Sequence, residues 1–183
     1  MEYLDIVDEQ GQPTGEIISR TLAHTEGIRH RTAHIWIVRR ENEHFQVLMQ
    51  KRAMSKDSFP GKYDTSSAGH IQAGDEPLAS GLRELAEELG IHAKPEDLAF
   101  AGCHSRKFCK KNFTEKSSGN NEIAFVYVYQ QPVNIETLVL QKEEVESVRW
   151  FDLEETYQNC QNRNTQFCAP VPGLEVVRQY LYS

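Results

Sequence analysis

Gly69-His-Ile-Gln-Ala-Gly-Asp75-Glu-Pro77-Leu-Ala-Ser-Gly-Leu-Arg83-Glu84-Leu-Ala-Glu87-Glu88-Leu-Gly90-Ile91 is the stretch from which the rest of the chain is read. Pro77 and Gly90 bracket a helix over 77–89, since proline suits a first helical turn and glycine a left-handed stop. At roughly 100° per residue, Leu78, Leu82, Leu85 and Leu89 fall within about 60° of arc and form a buried stripe. Glu84, Glu87 and Glu88 share another arc, about 100° wide and away from the leucines. Like charges at this spacing each cost a few tenths of a kcal/mol on an exposed helix. A hard divalent cation reverses that sign, because Mg²⁺ prefers carboxylate oxygens and keeps waters that phosphate can replace. Taken alone, Glu-x-x-Glu-Glu reads first as a solvated acidic face.

Outward from the helix, strands and helices mix irregularly. Tyr3 to Ile18 reads as a short hairpin turning at Gly11–Gly15, and Arg20 to Arg31 as a polar connection. Thr32–Arg39 and Phe45–Lys51 read as a second hairpin, followed by a short strand near Tyr63–Ala68. Beyond the helix, strands are expected near Leu98–Arg106, Ile123–Gln130 and Val145–Phe151, with a polar loop over Lys110–Asn121. Two weaker helices are expected near 152–159 and 173–182. The order fits an α+β arrangement or a mixed sandwich better than a doubly wound sheet. A length of 183 residues suits a single domain over 1–183, with an N-terminal hairpin over 1–20.

The spacing around the acids resembles the Nudix box, G-x5-E-x7-R-E-U-x-E-E-x-G-U with U aliphatic. Every fixed position from Gly69 to Ile91 agrees except one, where Asp75 stands for glutamate. The resemblance implies a Nudix fold, a mixed β-sheet sandwiched between helices, in which a loop–helix–loop holds Mg²⁺ or Mn²⁺ against a diphosphate. It implies Glu84, Glu87 and Glu88 as metal ligands, with the Gly69 carbonyl a further one. Arg83 would orient a carboxylate through a charge-assisted bond, with Asp75 as its partner on an arm one methylene shorter.

A second resemblance lies in the flanks. Ala23-His24-Thr25, Arg52-Ala-Met-Ser-Lys56, Phe59-Pro60-Gly61 and Ser67-Ala68-Gly69-His70 are similar to motifs of isopentenyl-diphosphate isomerase, which moves a proton across an allylic double bond on this fold. That family's pattern runs A-H-T, R-R-A-x-S-K, W-P-G, N-S-x-C-G-H and E-N-E. It implies His24 and His70 as metal ligands, Glu122 as an acid serving metal and chemistry, and Arg20, Arg52 and Lys56 as contacts for the substrate diphosphate. Three positions depart from it. Ala68 stands at the catalytic cysteine, Asn120 at the first acid of E-N-E, and Arg31 at a further histidine, with His30 adjacent. Alanine neither gives nor takes a proton, and the box is intact. The resemblance therefore implies a hydrolase of the isomerase-like subgroup, cleaving a phosphoanhydride in a nucleoside diphosphate linked to another moiety. Glu84, Glu87, Glu88, Glu122 and Arg83 are the candidate catalytic set. An isomerase needing no thiol and an inactive binding module are the rivals.

The bulk numbers agree with a small-molecule enzyme. Charge is −7, from 27 acids against 20 bases, which disfavours sequence-blind nucleic-acid binding. Mean hydropathy is −0.59, and no run approaches the ~20 apolar residues of a membrane helix. The N-terminus has no apolar signal-like core, so a cytoplasmic protein is expected, without a membrane partner. Cys103, Cys109, Cys160 and Cys168 form no CxxC pair and read as thiols. A small phosphorylated substrate is the expected partner, with a homodimer possible. Trp36 and Trp150 read as packing residues, and Phe59 and Tyr63 as flanks of the site mouth.

Overall fold

The computed structural model of the chain describes residues 1–110 and 118–183. In chain order the elements are β1 (Tyr3–Val7), β2 (Pro13–Ser19), α1 (Arg20–Glu26), β3 (His30–Glu41), β4 (His44–Arg52), β5 (Tyr63–Asp64), β6 (Ser67–His70), α2 (Pro77–Leu89), β7 (Leu98–Lys110), β8 (Ser118–Tyr129), β9 (Val145–Asp152), α3 (Leu153–Gln161) and α4 (Val171–Tyr182).

Nine consecutive residues of β3, His30 to Val38, are buried. A strand hidden on both faces needs cover on both. Trp36 and Val38 join Val47, Met49, Val126 and Val128 beneath Leu153, Leu174 and Val177 of α3 and α4. Ile35 and Ile37 join Leu48 and Tyr127 beneath Leu85 and Leu89 of α2. Burying each of these aliphatic side chains contributes about 1.5–3 kcal/mol. The result is the expected α+β sandwich, a mixed sheet with helices on both sides.

The sheet runs β5-β4-β3-β8-β7, with β6 on β3 and β9 on β4. β3 is parallel to β8 and antiparallel to β4 and β6. Along its first half β3 pairs with β6 (Thr32 to Ile35), and along its second half with β4 (Ile37 to Glu41). The Ser66 hydroxyl fills the break, accepting from the Ile37 amide at 2.8 Å and donating to the Leu48 carbonyl. The stretch read as one strand near Tyr63–Ala68 is thus two short strands on different neighbours. α1 is a helix where a polar connection was expected. Ser19 caps its start through the Leu22 amide, and Gly27 ends it in the left-handed region at φ 66°. Of the expected Lys110–Asn121 loop, residues 111–117 lie outside the described residues, while Lys110 and Ser118–Asn121 are strand, in β7 and β8.

Helix α2 follows its expected bounds. Gly81 meets Ile35 Cδ1 at 3.4 Å from the position a Cβ would take, so the helix rides close on β3. Among the described residues, no helix is long and apolar enough to cross a membrane.

Candidate active site

Two donor sets converge on one cavity of about 880 Å³, a volume suited to a small ligand, and all their members but the fully buried His30 line it. The first set comes from four elements. In parallel register His30 of β3 lies opposite Glu122 of β8, and in antiparallel register Thr32 lies opposite His70 of β6. His24 reaches in from α1. The ligand atoms of His24, His30, His70 and Glu122 all lie within 4.8 Å of one another. His24 Nε2 and His70 Nε2 are 3.0 Å apart, and Glu122 Oε1 is 3.8 Å from His30 Nε2 and 3.9 Å from His70 Nε2.

The chemistry of these donors fits a divalent cation. His30 Nδ1 sits 2.9 Å from the Ile28 carbonyl, which fixes that nitrogen as the proton donor. Its Nε2 is buried and without a hydrogen-bond partner. A second-sphere bond on one nitrogen with the other turned inward is the arrangement of a ligating histidine. Burial lowers the His70 pKa to about 3, and it lowers that of His24 as well, with His30 adding to it. Burial alone would raise the Glu122 carboxyl, but the surrounding histidines hold it below the usual carboxylate range. Imidazoles gathered around one carboxylate are a donor set that a divalent metal accepts.

The second set is on α2. Glu84 lies so close to Gly69 that a Cβ there would collide with its carboxylate. Arg83 holds that carboxylate through Nη2 at 2.9 Å and also donates to the His70 carbonyl at 3.1 Å. Its Nη1 meets Asp75 Oδ2 at 3.2 Å, so the shorter arm of aspartate spans the gap. Glu88 is 5% exposed and accepts from the Ala68 amide at 3.2 Å and from Gln50 Nε2 at 3.3 Å. Burial pushes its carboxyl up to about 8 and raises Glu84 too, against the pull of Arg83. Glu87 is exposed at the cavity wall. Two carboxyls stripped of water beside a third describe a site that a cation would relieve. Gly69 and His70 are consecutive on β6, so one short strand joins the two sets.

Arg20, Arg52 and Lys56 line the cavity as well. Each has an acid partner: Glu2 at 2.9 Å, Asp64 at 3.1 Å and Glu144 respectively. Every residue expected from the sequence to bind metal or substrate, and Arg83 with them, therefore borders the same space.

Arg31 is a correction. It does not stand at a ligand position, because alternate residues of a strand face opposite ways. Its guanidinium turns from the cavity to Asp5 at 2.8 Å and the Asp75 carbonyl at 3.1 Å. His30, one position earlier, supplies the third imidazole. Asn120, at the place of the first acid, donates to Glu122 Oε1. Tyr63 is not at the mouth but packs on Phe151, with ring centroids 4.8 Å apart, whereas Phe59 does line the cavity. His34, Gln50 and Arg106 also border the cavity, and no motif marks them in the sequence.

A NUDIX domain model matches residues 28–167. An uncharacterized Nudix hydrolase of Clostridium acetobutylicum is 37% identical over 162 residues, covering 88% of this chain and 75% of that protein. An isopentenyl-diphosphate Delta-isomerase of Escherichia coli is 28% identical over 153 residues, covering 83% and 78%. Among solved structures, a Deinococcus radiodurans protein superposes with a TM-score of 0.67 at 21% identity, over 98% of this chain and 99% of that one, a likeness of fold.

Proposed function

Because this chain belongs to the Nudix hydrolase family, we propose that it hydrolyses a phosphoanhydride bond in a small diphosphate with Mg²⁺ or Mn²⁺ at the acid helix. A nucleoside diphosphate linked to a second moiety is the leading substrate class. The observation that carries this reading is Glu84 packed against Gly69, with Glu87 and Glu88 on the wall of the same cavity. A bound divalent cation supplies neutralisation of phosphate charge and a more acidic water.

The protein's own groups do the rest. Glu84, Glu87, Glu88 and the Gly69 carbonyl hold the cation, and Arg83 is a positioning residue that fixes the Glu84 carboxylate. His24, His30, His70 and Glu122 hold a second divalent ion, the imidazoles favouring Mn²⁺ over Mg²⁺. Glu122, held ionised, orients the attacking water and takes its proton. Arg20, Arg52 and Lys56 exchange their carboxylate partners for phosphate oxygens as the substrate enters.

The histidine cluster and the likeness to an isomerase raise the rival reaction. Ala68 weighs against it. It lies on β6 opposite His34, its amide donating to Glu88, and has no group that titrates.

The test is a panel of nucleoside and isoprenyl diphosphates with Mg²⁺, following phosphate-containing fragments and isomeric products together. Hydrolysis is expected, and Glu87→Gln and Glu88→Gln should each reduce it by about a hundredfold or more. Full activity in both variants would overturn the metal assignment. An isomeric isoprenyl diphosphate without hydrolysis would replace the reaction itself.

A further inference from the structure

One cation on the cavity wall differs from the others. Arg20, Arg52, Lys56 and Arg83 each carry an acid partner. Arg106 lines the same cavity, half-buried on β7, and among the described residues no hydrogen bond or ion pair reaches its guanidinium. A charge partly withdrawn from water without a counter-ion is costly, and an arriving anion recovers that cost.

Its surroundings are also polar groups lacking partners. Arg106 pairs in register with Glu122, and His104, two residues earlier on the same strand face, with Ala124. His34 is 4% exposed, borders the cavity and has a buried Nδ1 with no partner. Both ring nitrogens of His104 are likewise buried and unpartnered, its ring set edge-on to His34 at 5.6 Å. Thr32, Gln50 and Thr65 border the cavity as well, so a hydrocarbon tail lodged there would desolvate polar groups without satisfying them.

Arg106 sits on the β7 side of Glu122, the side away from Gly69 and the acid helix. The order from Gly69 is β6, β3, β8, β7. Three strand spacings put the backbone of β7 about 14 Å from that of β6. A diphosphate seated between Gly69 and the acid helix has two phosphorus atoms on one bridging oxygen and does not extend across three strands. The β7 corner is left for another part of the substrate.

We propose that Arg106 is a specificity-determining residue that binds a phosphate or carboxylate on the moiety beyond the cleaved diphosphate. The preferred substrate then carries one more anionic group than the scissile diphosphate requires. This inference rests on the hydrolase reading for its readout in turnover, but not for its readout in binding.

Two matched pairs of probes test it with the full-length protein. One is a diphosphate-bridged dinucleotide with and without a further phosphate on a ribose hydroxyl. The other is a nucleotide sugar and the corresponding sugar acid. Turnover is measured with Mg²⁺, and binding by calorimetry with Ca²⁺, for the parent, Arg106→Gln and Arg106→Lys. The parent should prefer the charged member of at least one pair by about tenfold or more, expressed in KM and in affinity. Arg106→Gln should bring that ratio to near unity, and Arg106→Lys should keep part of it. The pair that discriminates tells phosphate from carboxylate. No preference in the parent, a preference that survives Arg106→Gln, or equal losses for both members of a pair would each overturn the proposal. If no probe is hydrolysed, the hydrolase reading fails, and calorimetry alone still decides whether Arg106 binds the extra anion. Should Arg106→Gln not fold, Arg106→Lys decides: a discrimination unchanged from the parent would exclude the forked contact.

Discussion

At the scale of single residues, His30 and Arg31 show how one position changes a role. Strand geometry puts neighbours on opposite faces, so His30 enters the donor cluster while Arg31 closes a buried pair with Asp5. The two should fail differently. His30→Gln should weaken Mn²⁺ binding by about tenfold or more, with the fold intact. Arg31→Gln should leave an unpaired buried carboxylate and cost about 3 to 5 kcal/mol of stability. Calorimetric Mn²⁺ titration beside urea melts checks both, and unchanged Mn²⁺ affinity in His30→Gln would remove it from the ligand set. Motif spacing made Glu84, Glu87, Glu88, His24 and His70 legible, because those acids follow helical periodicity and the rest lie in quoted motifs. It could not separate His30 from Arg31, since the strand's phase depends on its pairing with β8. Arg106 and His34 were not legible at all: nothing local distinguishes a cavity-facing arginine from a surface one.

At the scale of elements, α2 was readable end to end because its proline, leucine stripe and glycine agree with one another. α1 was not, although Ser19 and Gly27 are cap residues that could have disclosed it. Seven residues, five of them polar, carry too little periodicity to stand out. The parallel pairing of β3 with β8 lay beyond reach, since about ninety residues separate the strands and long-range pairing leaves no local mark. The C-terminus of α2 is closed by a distant segment. The Val139 amide donates to the Leu89 carbonyl at 3.2 Å, and the Gln141 amide to the Glu88 carbonyl at 3.0 Å. Gly90 makes this possible at φ +69°, and a Cβ on it would stand 2.9 Å from Val139 Cβ. Gly90→Ala should therefore cost about 1 to 2 kcal/mol from the left-handed backbone, and more from the collision. It should also loosen the turn that carries Glu87 and Glu88. A denaturation midpoint equal to the parent's would show that the helix end does not depend on this glycine.

At the scale of the whole molecule, the sheet grades from polar to apolar along one face. β3 presents His30, Thr32 and His34 toward the cavity end, then Trp36 and Val38 in the core under α3 and α4. His104 stands at the boundary. A Cβ on Gly173 of α4 would be 3.1 Å from its Nε2, so the ring is part of the seam between α4 and the sheet. Burial first, and His34 next, lower its pKa from 6.5 to about 4, with Arg106 acting the same way and Glu122 opposing. Between those two pH values the unfolded chain binds a proton at this residue that the folded chain does not. The histidine's contribution is therefore complete above about pH 6.5 and is lost as pH falls toward 4. A shift of this size corresponds to about 3 kcal/mol at most. His104→Gln removes the titration while keeping a polar side chain at the seam. The difference in unfolding free energy between parent and variant should move in the variant's favour as pH is lowered from 7 to 4. Urea melts at half-unit intervals would follow it. Groups common to both proteins cancel in that difference, so two pH profiles that run parallel would mean that a proton at His104 does not open the seam.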